Sequence, residues 1–232
     1  MKDIFGTAIL DYQLGNYSED LITSTSISEA DSLPLPYLFR NYSEMPCLEK
    51  TALKLSRGTV LDIGCGAGSH SLYLKSKGLK VKSIDISAGA IEACRLRGLR
   101  QAHVLNVMDE TSSFDTLLLL MNGSGVFQSL ANTPFVLSHL KTLINPDGQI
   151  LIDSSDIKYM YEDEDGGYWM DATKDYYGEL DYTVRYKDQE ATFSWMYVDF
   201  ENLKIACEQA GLICELIEEG PHFDYLAKIT LA

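Results

Sequence analysis

Basic residues are scarce in this 232-residue chain: 19 Lys and Arg stand against 34 Asp and Glu, for a formal net charge of −15. No block of consecutive Lys or Arg occurs, and Arg95, Arg97 and Arg100 read as the solvated end of one helix. A surface so acidic repels phosphate backbones and anionic lipid, so neither nucleic acid nor a membrane is expected as a partner. The four histidines are scattered without metal-ligand spacing, and no metal is expected. Cys47, Cys65, Cys94, Cys207 and Cys214 are odd in number and form no C-x-x-C pair, which argues for reduced thiols rather than a disulfide framework. An apolar run of about 18 residues is missing, as is an apolar stretch near the N-terminus, so membrane insertion and export find no support. The expectation is a cytoplasmic protein, monomer or homodimer, with no repeat or low-complexity tract. Its length suits one α/β domain over residues 1–232.

What the chain does contain is concentrated in Thr59-Val60-Leu61-Asp62-Ile63-Gly64-Cys65-Gly66-Ala67-Gly68, an apolar strand running into a glycine-rich turn. Glycine has no Cβ, so such a turn can bend sharply and approach a ligand closely. A nucleotide-like cofactor is the natural occupant. Asp62, two residues before the first glycine, offers a carboxylate for hydrogen bonds or a positive charge, where a pyrophosphate would be repelled. A nicotinamide fingerprint would need another glycine at position 69, which is Ser69.

These residues resemble the first motif of the class I, Rossmann-like S-adenosylmethionine-dependent methyltransferases, and the resemblance runs from about residue 58 to the end. It implies S-adenosyl-L-methionine as methyl donor, S-adenosyl-L-homocysteine as product, and a turn of Gly64, Cys65, Gly66 and Gly68 whose backbone faces the cofactor. It implies that Asp85, ending the strand at 79–87 with Ile86 beside it, accepts from both ribose hydroxyls. After the strand at 102–105 come the adenine contacts, Asn106, Val107 and Met108. Many relatives have an aspartate immediately after this strand, and here either Asn106 or Asp109 would take its role. Met121, Asn122 and Gly123, after the strand opened by Phe114-Asp115, should line the reaction centre. The Asp/Asn-Pro-Pro-Tyr signature of enzymes acting on base nitrogens or glutamine amides is missing, which disfavours that subclass.

The remaining pattern predicts a helix over Thr133–Ile144, a turn at Asn145-Pro146-Asp147-Gly148, and a fifth strand from Gln149 to Asp153. A capped helix follows at Asp199–Ala210, then strands at Leu212–Glu218 and Tyr225–Leu231 joined closely enough for a hairpin. Such a closing pair is the family's signature, and the resemblance implies a doubly wound, mostly parallel seven-stranded sheet with an antiparallel last strand; the pattern adds a small β-hairpin insertion after strand five. Its segments are an N-terminal lid arm (1–50), a cofactor-binding core (51–153), a substrate-side insertion (154–198) and a closing helix with its strand pair (199–232).

The acceptor must be chosen by the arm and the insertion. Arg40 could hold the methionine carboxylate or an anionic acceptor, and Tyr42, Tyr168 and Trp169 are further substrate candidates. Tyrosines and acidic residues interleave between 159 and 177, the combination a cationic amine site would use. Asp153, Tyr37 and His222 are candidate proton acceptors by position. The expected activity is methyl transfer by in-line displacement to an oxygen or nitrogen of a small molecule, with an amine as one option. The alternative is a non-catalytic regulator that binds S-adenosylmethionine or S-adenosylhomocysteine.

Overall fold

An apolar run such as Leu117-Leu118-Leu119-Leu120 cannot alternate between core and solvent, and as a strand it must be covered on both faces. All four side chains are buried. The computed structural model describes residues 2–163, 165, 167–168 and 175–232. Its elements, in chain order, begin with α1 (Ile4–Gln13), β1 (Leu21–Thr25), β2 (Ser28–Leu33), α2 (Leu35–Leu38) and α3 (Cys47–Leu55). The central alternation is β3 (Thr59–Ile63), α4 (Ser69–Ser76), β4 (Lys80–Asp85), α5 (Ala88–Leu96), β5 (Ala102–Val104), β6 (Phe114–Leu119), α6 (Thr133–Thr142) and β7 (Ile144–Ser155). Then come β8 (Glu179–Tyr186), β9 (Gln189–Met196), α7 (Phe200–Gln209), β10 (Leu212–Glu219) and β11 (Asp224–Leu231).

The large sheet has the order β10-β11-β7-β6-β3-β4-β5. Pairing is parallel from β7 through β6, β3 and β4 to β5, while β11 runs antiparallel to both β7 and β10. The expected mostly parallel seven-stranded sheet with a reversed last strand is therefore present. The chain winds outward from β3 to β5 and then returns to β6, so a crevice opens at the carboxyl ends of β3 and β6, where ligands bind in open α/β sheets. Leu61, Leu117, Ile150 and Ile152 form the buried centre, each worth roughly 1.5–3 kcal/mol of burial. The predicted turn at Asn145–Gly148 is a bulge inside β7, because pairing jumps from Phe114↔Ile144 to Thr116↔Gln149. Helix α6 stops at Thr142, which frees Ile144 for that pairing.

A second sheet has the order β2-β1-β8-β9. The arm supplies β1 and β2, the insertion supplies the hairpin, and the two meet where Ile22 pairs with Arg185 and Thr25 with Tyr182. Two segments far apart in sequence thus form one unit, packed through Leu21, Val184 and Tyr186 against Ile4 and Ala8 of α1.

Candidate active site

The glycine turn divides its labour. Gly64, Gly66 and Gly68 all have left-handed φ, at 68°, 51° and 80°. A Cβ on either of the first two would meet nothing within 4 Å, whereas one on Gly68 would stand 2.5 Å from Leu99 and 2.8 Å from the Cys94 thiol. Gly68 therefore serves the packing of α4 on α5, and Gly64 and Gly66 leave open ground above the turn. The Cys65 amide donates to the Ile84 carbonyl at 3.1 Å, and its side chain is buried.

Asp85 stands at the edge of that ground. Its oxygens accept from the Gly66 and Ser87 amides, both at 2.9 Å. Each oxygen retains a lone pair for a ligand hydroxyl. Burial raises its pKa, and the two amide bonds partly offset that. Ser87, not Asp85, caps α5 by accepting from the Ala90 amide. Ile86 follows, 74% exposed, as an apolar surface turned to solvent. Asp62 lies deeper, buried under α4, where Ser71 donates to it at 2.6 Å and shares its hydroxyl with Ser83. Burial raises the Asp62 pKa, against the pull of His70 and Ser71. Asn106 is exposed and accepts from the Met108 amide at 3.0 Å, capping the short turn Val107–Asp109; Val107 is buried and Met108 half-buried.

After β6 the backbone is strained. Met121 and Asn122 take left-handed φ of 66° and 59°, a conformation costing a non-glycine residue about 1–3 kcal/mol. Asp153, from β7, holds this turn by accepting from the Met121 and Gly123 amides, each at 3.0 Å. The Asn122 amide group donates to the Met196 carbonyl, and its oxygen accepts from Ser124 and Ser154. The turn is thereby tied to β7 and β9 together.

These groups border a cavity of about 250 Å³ whose lining includes Tyr37, Glu49, Met121, Asn122, Asp153 and Asp224. Burial pushes the Asp153 carboxyl up to about 6, despite the two amide bonds. Glu49 behaves oppositely. Burial opposes its charge, but the His70 Nε2 bond at 2.7 Å and the Arg40 guanidinium outweigh it and hold the pKa below the usual range. Arg40 also donates to the Tyr37 carbonyl at 2.6 Å and lies 4.0 Å from the centre of the Tyr37 ring. Its Nε has no hydrogen-bond partner among the described residues.

The other candidates are dispersed. Tyr42 stacks on Tyr73 of α4 with centroids 4.0 Å apart. Tyr168 is exposed, with the Lys158 ammonium 4.7 Å from its ring centre, and Trp169 lies outside the described residues. His222 is exposed between β10 and β11, and its amide donates to Asp224. Tyr176 and Tyr177 of the acidic aromatic stretch donate to Asp199 and Asp156, so they anchor the insertion. Glu49 and Asp224 escape a reading of the sequence: one looks like a first-turn helix carboxylate, the other like a turn residue, and only the fold brings both to Asp153.

The crevice, the open glycine turn and the acidic end of β4 define a Rossmann-like enzyme built around a nucleoside-bearing cofactor. Residues 37–215 match the methyltransferase domain family, and the chain belongs to it. It is similar over 100% of its length to a Bacteroides fragilis S-adenosylmethionine-dependent methyltransferase, solved in complex with S-adenosyl-L-homocysteine. Identity is 43%, coverage of that chain 95% and the TM-score 0.93. An uncharacterized methyltransferase of Staphylococcus carnosus is 29% identical over 209 residues, 83% of this chain and 86% of that one. The likeness to the malonyl-[acyl-carrier protein] O-methyltransferase of Serratia marcescens is partial, 27% over 92 residues, spanning 40% of this chain and 36% of that enzyme. The protein is an S-adenosylmethionine-dependent methyltransferase.

Proposed function

We propose that the enzyme methylates the amine nitrogen of a small molecule seated in the cavity beside Asp153. The observation that carries this reading is that three acidic residues, Glu49, Asp153 and Asp224, line one cavity together with Tyr37. Among the described residues none of those lining it is basic, and the nearby Arg40 and His70 are both engaged by Glu49. An acidic lining with no basic residue favours a cation. At about 250 Å³ the space suits a small acceptor group rather than a whole drug-sized molecule.

S-adenosyl-L-methionine, when bound, supplies a methyl group on a positive sulfur that is open to in-line displacement. For that ligand Asp85 offers two acceptor oxygens to the ribose, Ile86 and Met108 offer apolar surface to the adenine, and Gly64 and Gly66 permit close approach of the backbone. Asp62 supports the turn from below. Alignment of the acceptor with the methyl supplies much of the rate in such a displacement, and the rigid Met121–Gly123 turn fixes the cavity wall that sets it. An ammonium must first lose a proton to expose its lone pair. Asp153, with a pKa near 6, is the base, while the Tyr37 hydroxyl orients the acceptor. His222 is exposed and outside the lining of that cavity, and this reading gives it no role.

Transfer of labelled methyl groups to a matched panel of small amines, alcohols and carboxylic acids tests the reading. Turnover is expected with amines, and turnover confined to neutral or anionic acceptors would overturn it.

A further inference from the structure

Phe223, the residue before Asp224, and Tyr159 stack their rings on each other in solvent. Phe223 is 63% exposed and Tyr159 46% exposed, with centroids 4.9 Å apart and planes 22° from parallel. Met160, 40% exposed, adjoins Tyr159 in sequence. The pair adjoins the lining of the cavity through the backbone of β7 and β11. Phe223 immediately precedes Asp224, which lines the cavity and pairs with Ser155, and the Asp156 amide donates to the Phe223 carbonyl at 2.9 Å.

Phe223 is also strained. Its φ is +59°, in a region that a bulky side chain rarely adopts and that glycine would occupy freely. Strain and exposure are both unfavourable to the folded state, and neither is offset by burial of the ring. Backbone strain of this kind clusters at ligand-binding sites.

We propose that the acceptor is an amphiphilic amine, its cationic head among Glu49, Asp153 and Asp224 and its apolar or aromatic end on the Tyr159–Phe223 platform. This rests on the amine reading of the cavity and adds a second subsite to it. The cavity takes the head group alone, and the platform begins one residue beyond its lining. An aromatic tail there adds a third ring to the stack, and an alkyl tail covers two exposed faces.

Calorimetry on the full-length protein saturated with S-adenosyl-L-homocysteine separates the two ideas, using ethylamine, 2-phenylethylamine and 3-phenylpropanoate as probes. Phenylethylamine is expected to bind at least about tenfold more tightly than ethylamine, the size of one well-packed aromatic contact, and phenylpropanoate to bind more weakly than phenylethylamine. In Phe223→Gly the tenfold ratio should collapse to about threefold or less while the melting temperature holds or rises, because glycine relieves the left-handed backbone. Phe223→Tyr should keep the ratio. Equal affinities for the two amines, or a ratio unchanged in Phe223→Gly, would overturn the platform and leave the amine reading standing. Phenylpropanoate binding as well as phenylethylamine, or binding by none of the three, would overturn both.

Discussion

Gly89 approaches Gly6 so closely that a Cβ built on it would lie 2.3 Å from the Gly6 carbonyl oxygen. Helix α1 therefore crosses directly over the start of α5, and Asp3 locks the crossing. One Asp3 oxygen accepts from the Gly6 amide at 3.0 Å, and the other from the Gly89 amide at 2.9 Å and the Ser87 hydroxyl at 3.0 Å. Ser87 in turn donates its amide to Asp85. Docking of the arm is thus wired to the proposed ribose carboxylate through a single residue. Gly89→Ala should overpack the crossing at a cost of about 1–3 kcal/mol, lowering the melting temperature by roughly 2–4 °C per kcal/mol. S-adenosyl-L-homocysteine affinity should fall with it. Thermal denaturation with and without that ligand reads both effects, and an unchanged melting temperature would contradict the crossing.

Asp85 itself makes a sharper case. Each hydrogen bond from a ligand hydroxyl to a carboxylate is worth about 1.5–3 kcal/mol, so Asp85→Ala should weaken S-adenosyl-L-homocysteine binding at least 100-fold, as two such bonds convert. Asp85→Asn should fall between, because one acceptor oxygen becomes a donor. Titration calorimetry distinguishes these outcomes; wild-type affinity in the alanine variant would place the ribose elsewhere.

The large sheet was legible because its signals are local. Apolar runs, Gly64-Cys65-Gly66 and the acidic end of β4 each announce themselves within ten residues, and parallel strands buried on both faces need no partner to be recognised. The second sheet was not legible. Strands β1 and β2 read as polar arm, with Ser24, Thr25, Glu29 and Asp31 among their residues, and they become strands only because the distant β8 offers an edge to pair with. The site divides the same way. Asp85 is a candidate from its motif, and Asp153 from its place at the end of β7, but the Arg40–Glu49–His70 group joins a loop to two separate helices and no spacing reveals it. In the sequence Arg40 is a candidate for the methionine carboxylate or an anionic acceptor; in the fold its charge is directed at Glu49. Of the interleaved tyrosines and carboxylates at 159–177, which suggest a cation site in the sequence, Tyr176 and Tyr177 direct their hydroxyls to Asp156 and Asp199, and residues 169–174 lie outside the described ones.

The shift at Asp153 fixes a pH dependence. Its carboxyl moves from an ordinary 3.8 to about 6, so the folded state binds this proton more firmly than the unfolded chain does. The proton favours folding, and that contribution disappears as pH rises through about 6, just where the carboxylate becomes available as a base. kcat/KM for an amine acceptor should therefore climb through an acid limb near pH 6. In Asp153→Asn the limb should vanish and the rate drop by about 10²–10⁴-fold, the usual worth of a general base. A pH–rate profile of both proteins checks this, and an unchanged acid limb in the variant would assign the titration to another group.

Glu49 carries the opposite sign. It is 4% exposed, bonded to His70 and Arg40, and its pKa is depressed because those two bonds outweigh the effect of burial. A depressed carboxylate stabilises the fold above its unfolded value, and the contribution is lost as pH falls through the lower folded one. Glu49→Gln preserves shape but removes the charge that compensates a buried guanidinium, whose Nε already has no partner among the described residues. Removing one member of a buried pair costs about 3–5 kcal/mol. Urea denaturation at pH 7 should show a loss of that order. The gap between variant and native protein should then narrow as the native carboxylate protonates, from an unfolded value of about 4.3 downward. A difference that is small at pH 7, or that does not change between pH 7 and pH 3, would mean that Arg40 is held in place by packing rather than by the Glu49 charge.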